Sequence, residues 1–117
     1  MYNQMVVHTE IELTDDEVDR IFRALADATR RDILSRTLED EATVSQLAAT
    51  YDMSFAAVQK HVAVLEQAGL VTKRTAGRER RVRGEPDTIR RAQRLLTRYE
   101  QIWRGRIARL DALLAED

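Results

Sequence analysis

The sequence predicts an α+β domain that is mainly helical and carries one small β-hairpin. Three observations predict it. The stretches TDDE at 14–17 and TVSQ at 43–46 have capping-box spacing, in which a threonine oxygen and a Glu or Gln three residues later satisfy each other's backbone N–H groups. Past Gly69 the chain changes character: 70–74 and 80–83 read as strands around a turn at 75–79. From Pro86 to Glu116 apolar residues step by three and four with no strong breaker except Gly105. With six aromatics, one proline and four glycines in 117 residues, the core must be mostly Leu, Ile, Val and Ala, which favours helices.

The elements follow in order. Thr14 opens a first helix over about 15–26, with Asp15 and Asp16 at the positive end of its dipole and Val18, Ile21, Phe22 and Leu25 along one side. Asp27 caps a second helix with Ile33, Leu34 and Leu38 as its apolar stripe, and 39–41 is an acidic loop. Thr43 opens a short helix that turns Val44, Leu47 and Ala48 inward and ends near Tyr51 and Asp52. Ser54 caps the next, about 55–67, with Val58, Val62 and Leu65 as its inner face. Two short helices so closely spaced have the form of a helix-turn-helix. Gly69 ends the second, because glycine enters the left-handed region cheaply. The hairpin after it is short and polar, as a protruding wing would be. Pro86 suits the first position of the last helix, where its missing N–H costs nothing.

That last helix is long for so small a body, about 45 Å for 30 residues. Its stripe, Ile89, Ala92, Leu96, Tyr99, Trp103, Ile107, Leu110 and Leu114, is widened by Leu95, Ile102 and Leu113. A second copy of the chain would cover it, so the sequence predicts a homodimer. The predicted interface is Val18, Ile21 and Phe22 of the first helix with Leu96, Tyr99, Trp103, Ile107, Leu110 and Leu114 of the last. Residues 1–13 read as an arm, and 14–117 as one domain with its dimerisation helices at about 15–26 and 86–116.

The formal net charge of −1 conceals a segregation. Residues 1–50 hold five arginines against eleven acids; residues 72–109 hold thirteen basic residues against four acidic ones. Such asymmetry points to a polyanionic partner, or to solvated helix faces, and charge alone does not separate the two. The lack of cysteine excludes thiolate metal sites and disulfides. His8 and His61 are far apart, so no cofactor or metal is expected. There is no glycine-rich phosphate loop and no nucleophile–base pair, so catalysis is not expected. No apolar run approaches the ~20 residues of a membrane span, and the N-terminus lacks signal-peptide character. A cytoplasmic protein without membrane contact is the expectation.

A helix-turn-helix followed by a basic hairpin suits a reader of double-stranded DNA. The second helix fits the major groove with its N-terminal residues at base edges. Ser54 and the helix N-terminus can donate to phosphate. Gln59 matches adenine and Lys60 guanine or phosphate, while Ala56 and Ala63 allow close approach. His61 flanks the inner face, and a base contact and a hydrogen bond within the domain are both open to it. Arginines on the hairpin can enter a minor groove or clamp phosphates. The candidate DNA-contacting set is Thr43, Ser54, Phe55, Ala56, Gln59, Lys60, His61, Arg74, Arg78 and Arg80. Tyr99 and Trp103, at helical spacing, read as interface rather than a ligand cage.

The stretches FRALADATRRDIL (22–34), TVSQLA (43–48) and AGLV (68–71), with Met53, Ser54, Ala57, Val58, Lys60, His61, Val64, Leu65 and a wing at Gly77 and Arg78, resemble the ArsR-type (arsenic-repressor) winged-helix regulators. Residues 18–115 are covered. The resemblance implies a dimeric transcriptional repressor pairing through its first and last helices, with Ser54, Ala56, Gln59, Lys60 and His61 at positions that contact DNA. The Tyr99 and Trp103 helix resembles a subgroup without metal-binding cysteines. Ala28 stands where many members have proline, Gln59 where serine is usual, and Phe55 where a smaller or polar residue is usual. The expected function is a homodimeric, sequence-specific repressor of a pseudo-palindromic operator, its own gene included. The alternatives are a protein-interaction module that meets an acidic partner, and a repressor released by an unknown small molecule in the dimer cleft.

Overall fold

The structure is a computed structural model that describes residues 12–116. Most of the predicted arm, including His8, lies outside the described residues. Among the described residues, five helices and three short strands follow in the order α1 (Asp15–Leu25), α2 (Ala28–Glu39), β1 (Ala42–Thr43), α3 (Val44–Thr50), α4 (Phe55–Gln67), β2 (Val71–Ala76), β3 (Glu79–Gly84) and α5 (Pro86–Ala115). The mainly helical class with a small hairpin is as the sequence predicts.

The starts of the first four helices are held by the residue chemistry that announced them. Glu17 N–H donates to Thr14 Oγ1 at 3.2 Å while Thr14 N–H donates to Glu17 Oε1 at 2.8 Å. The same reciprocal pair joins Thr43 and Gln46 at 3.0 and 2.8 Å. Asp27 accepts from Arg30 N–H, and Ser54 Oγ from Ala57 N–H. The end of α1 is closed from outside: Arg30 donates to the carbonyls of Ala24 and Arg23, and Arg31 to that of Leu25. The bonds to Ala24 and Leu25 satisfy carbonyls that the helix end leaves without partners, and the Arg23 carbonyl also accepts from Ala26 N–H.

The end of α4 is a complete Schellman turn. Leu70 N–H donates to Leu65 O and Gly69 N–H to Glu66 O, both at 2.9 Å, with Gly69 at φ +76°. The chain therefore reverses within two residues and enters β2 at once.

Ile21, Ile33, Leu47, Val58, Val62, Leu65, Leu70, Val71 and Val82 are almost fully buried and form one core across helices and hairpin. Each such side chain contributes about 1.5–3 kcal/mol by leaving water. On α2 the expectation was partly wrong. Leu38 is 44% exposed, and Thr37 occupies the interior at 1%. Thr37 is tolerated there because its hydroxyl donates to the carbonyl of Ile33 at 2.9 Å. Leu38 instead lies over Gly84: a Cβ at that glycine would fall 2.6 Å from Leu38 Cδ2.

The three strands are antiparallel in the order β1-β3-β2. The sequence reading missed β1, which pairs Ala42 with Val82 and Thr43 with Arg81. Two residues are too few to show a period. The hairpin is also longer than expected. Thr75 pairs with Arg80 and Ala76 with Glu79, leaving only Gly77 and Arg78 as the turn. Gly77 at φ +67°, followed by a residue without positive φ, has the pattern of a type II′ hairpin turn.

α5 leaves the body. Thr88 and Ala92 are buried in its first two turns, whereas Leu96, Tyr99, Ile102, Trp103, Ile107, Leu110, Leu113 and Leu114 are all exposed. The radius of gyration is 19.3 Å, against about 13 Å for a compact domain of this length.

Candidate nucleic-acid interface

α3 and α4 form the helix-turn-helix, and β1 determines where the wing sits beside it. β1 runs directly into α3 while pairing with β3, so the pairing of Thr43 with Arg81 holds the hairpin against the N-terminus of α3. Between the two lies a groove lined by Thr43, Val44 and Ser45 of the first helix, Phe55 and Gln59 of the second, and Arg78, Glu79 and Arg80 of the wing. Three elements distant in sequence thus converge on one concave surface.

α4 divides as its spacing predicts. Val58, Val62 and Leu65 are buried, and Phe55, Ala56, Gln59 and Lys60 are exposed on the other side. Among the described residues, the side chains of Gln59, Lys60, Arg78 and Arg80 make no hydrogen bond or ion pair within the chain. Their donors are free to meet a ligand. Ser54 accepts from Ala57 N–H and keeps its own hydroxyl proton to donate.

Three members of the candidate set differ from these exposed, unpaired side chains. Thr43 is only 8% exposed, and its hydroxyl oxygen accepts from Gln46 N–H, so it builds the floor of the groove and positions α3. His61 is half-buried, with Nδ1 3.4 Å from Arg30 Nη1 and 3.9 Å from Asp27 Oδ2. Nδ1 can accept from Arg30 when bare or face the Asp27 carboxylate when protonated, and this place beside the junction of α1 and α2 fits the in-domain role the sequence left open. Arg74 is the third. Alternation along the paired strands puts Lys73, Thr75, Arg80 and Val82 on the sheet face toward the helices and Arg74, Arg81 and Arg83 on the other. Arg74 Nη2 lies 2.8 Å from Glu41 Oε1, which is buried and receives no well-directed N–H. The contact is therefore chiefly Coulombic. Arg74 directly faces Arg81 across the hairpin, and Glu41 and Glu79 offset that repulsion from either side.

Val44, Ser45 and Glu79 line the groove and are absent from the candidate DNA-contacting set, Val44 having been read only as an inward-facing residue. Ser45 and Glu79 had a signal available: the capping box puts Ser45 at the exposed N-terminus of α3, and a two-residue turn puts Glu79 beside the tip.

The free apolar surface is on α5. Trp103 is 56% exposed with the Arg106 guanidinium 5.7 Å from its ring centroid, and a shallow apolar patch joins Tyr99, Ile102, Trp103, Arg106 and Arg109. Phe22 on α1 is also exposed, while Ile21 beside it is fully in the core. Ile21 thus supports the domain and offers no surface to a second chain. Among the described residues no three His, Cys, Asp or Glu side chains are placed to hold a metal ion, and no helix is long and apolar enough to cross a membrane.

A helix-turn-helix whose second helix and β-wing flank one groove is a winged helix-turn-helix DNA-binding domain. Comparison with known proteins agrees. Residues 25–74 match a family model described as a helix-turn-helix domain. The HTH-type transcriptional regulator Rv2034 of Mycobacterium tuberculosis is 38% identical over 92 residues, covering 72% of this chain and 86% of that one. The solved structure of an ArsR-like transcriptional regulator from Rhodococcus sp. RHA1 superposes with a TM-score of 0.76 at 30% identity, covering 87% of this chain and 96% of that chain. A homodimeric winged helix-turn-helix domain from Mycobacterium bovis shares the fold at 24% identity and a TM-score of 0.61, covering 76% and 89%. The chain belongs to the ArsR-type family of winged helix-turn-helix transcriptional regulators, and to its cysteine-free members. It is a DNA-binding regulator and not an enzyme.

Proposed function

We propose that the protein is a homodimeric, cytoplasmic repressor that binds a pseudo-palindromic operator, one such operator lying at its own gene. The observation that carries the reading is the convergence of unpaired donors. Gln59 on α4 and Arg78 and Arg80 on the wing line one groove, Lys60 is exposed next to Gln59 on the same helix, and none of the four has a partner among the described residues. In this reading α4 enters the major groove, where Gln59 and Lys60 meet base edges and Ala56 permits close approach. Ser54 donates to a phosphate, and Arg78 and Arg80 clamp the backbone or reach the adjacent minor groove.

Dimerisation supplies the second half of the operator. The exposed stripe from Leu96 to Leu114, with Val18 and Phe22 on α1, supports pairing between two copies. Two recognition helices related by a two-fold axis would enter successive major grooves about 34 Å apart. Footprinting on the region upstream of the gene, with sedimentation to count chains, tests both parts. The expected result is a two-fold-related protected site bound by two chains. Equal affinity for that site and for random duplex would sink the sequence-specific reading.

A further inference from the structure

Phosphate clamping leaves one member of the groove unexplained. Phe55 is 47% exposed at the first position of α4, where a polar residue would be better solvated. It lies one helical turn before Gln59, so the two share a helix face, and both line the groove that Arg78 and Arg80 close. Ala56 beside it is small and exposed, so nothing on the helix holds the ring away from an approaching duplex.

We infer that Phe55 and Gln59 act as one reading unit for an A·T-containing base step, Phe55 meeting the C5-methyl group of thymine. The inference rests on the DNA-reading function proposed above. The chemistry is particular. In the major groove adenine presents an N7 acceptor beside an N6 donor, which the carbonyl and amino ends of one glutamine amide match. Thymine presents the only methyl group among the bases, and an apolar side chain is what rewards its burial. A phenylalanine wedge driven between base steps is a minor-groove device, whereas Phe55 stands on the helix that enters the major groove. The cationic rim of Arg78 and Arg80 identifies the occupant as a polyanion, which favours a duplex over an apolar peptide.

The test uses the full chain and two random duplex libraries, one with thymidine and one with deoxyuridine in its place. Deoxyuridine pairs identically and lacks only the methyl group. Wild type should enrich an A·T pair at one fixed position in each half-site of the thymidine library. On the enriched duplex, replacing that thymine by uracil should weaken binding about fourfold per half-site, as burial of one methyl group predicts. Phe55→Ala should bind the thymine and uracil duplexes alike, and Phe55→Leu, which keeps an apolar contact and guards against misfolding of the smaller variant, should still discriminate. Sequence-specific binding indifferent to the uracil exchange would overturn the inference and leave the repressor reading standing. The same fourfold loss in Phe55→Ala would assign the methyl effect to DNA shape and overturn it too. Retardation of neither library would remove both readings together.

Discussion

Thr88 Oγ1 donates a 2.6 Å hydrogen bond to the carbonyl of Gly69, joining the first turn of α5 to the residue that ends α4. Thr88 is buried, and Gly69 is held in the left-handed region by the Schellman turn. The helix with the free apolar stripe is thus pinned to the terminus of the helix that lines the groove. The expected effect of Thr88→Val is a loss of about 0.5–1.5 kcal/mol of stability, because the nearly isosteric side chain leaves a part-buried carbonyl without its donor. Urea unfolding measures it, and an unchanged midpoint would show that Gly69 finds another partner.

Gln59 and Arg78 predict opposite signatures in DNA binding. Gln59 is a base-edge candidate, so Gln59→Ala should cost about 1–3 kcal/mol on the preferred site and little on random duplex. Arg78 is at the wing tip with no partner among the described residues. Arg78→Ala should weaken all duplexes alike and lower the slope of log K against log salt by about one. Fluorescence anisotropy across a salt series separates the two. Swapped signatures would mean that the wing reads sequence and the helix does not.

Trp103 and Leu110 stand more than half exposed on a stripe that no part of the described chain covers. If a second copy covers it, each charged substitution there is counted twice per dimer. Leu110 is already half covered, so Leu110→Glu should lose roughly 1.5–3 kcal/mol of association free energy, about half the full-burial value from each of two side chains. Sedimentation should show monomers, and melting should lose its dependence on concentration. A variant that stays dimeric would move the interface elsewhere.

Tyr51 predicts a pH dependence at the alkaline end. Its hydroxyl donates to Asp32 Oδ2 at 2.5 Å, with the Arg36 guanidinium over its ring. Burial, then the bond to the Asp32 carboxylate, pushes the phenol up to about 12. A raised folded pKa favours the protonated form, so its stabilisation is whole below the unfolded value of about 10 and is lost as pH rises toward 12. Asp32 has the opposite sense. The Tyr51 hydroxyl, and after it Arg36, lower its pKa, so that contribution is present above about pH 3.9 and fades as pH falls further. Tyr51→Phe should flatten both limbs of the stability profile, Asp32 keeping only its arginine. Chemical denaturation at pH 7, 10 and 11.5 checks the alkaline limb, where parallel wild-type and variant curves would contradict it.

The sequence made legible whatever local chemistry determines. Thr14, Thr43, Ser54 and Gly69 announce helix ends because capping satisfies neighbouring backbone groups, with no reference to the rest of the fold. Val58, Val62 and Leu65 declare the inner side of α4 by spacing alone. What escaped was set by tertiary register. β1 is two residues long, and only its pairing with β3 makes it a strand. Which hairpin arginines share a face follows from the register of Lys73 with Val82, so Arg74 reads from sequence as an equal of Arg80 although it points the other way. His61 looks like a reading residue until Arg30, 31 positions earlier, is seen beside it.

Gly84 gives the last prediction. It is buried at the end of β3 at a position where no turn or positive φ requires glycine. What requires it is α2. A Cβ there would meet Leu38 Cδ2 at 2.6 Å, Cγ at 2.7 Å and the backbone Cα at 3.1 Å. The side chain could swing aside, but the Cα can move only with the helix. Gly84→Ala should therefore cost about 1–3 kcal/mol, as overpacking does in a close-packed interior. Leu38→Ala removes the two nearer clashes and leaves the third, so the double variant should recover part of the loss and not all of it. Full recovery would show that α2 shifts freely over the sheet, and no loss in Gly84→Ala would remove this contact as a determinant of how the hairpin docks. Because β3 pairs with β1 at the root of α3, a misplaced hairpin should also weaken DNA binding in proportion to the stability lost.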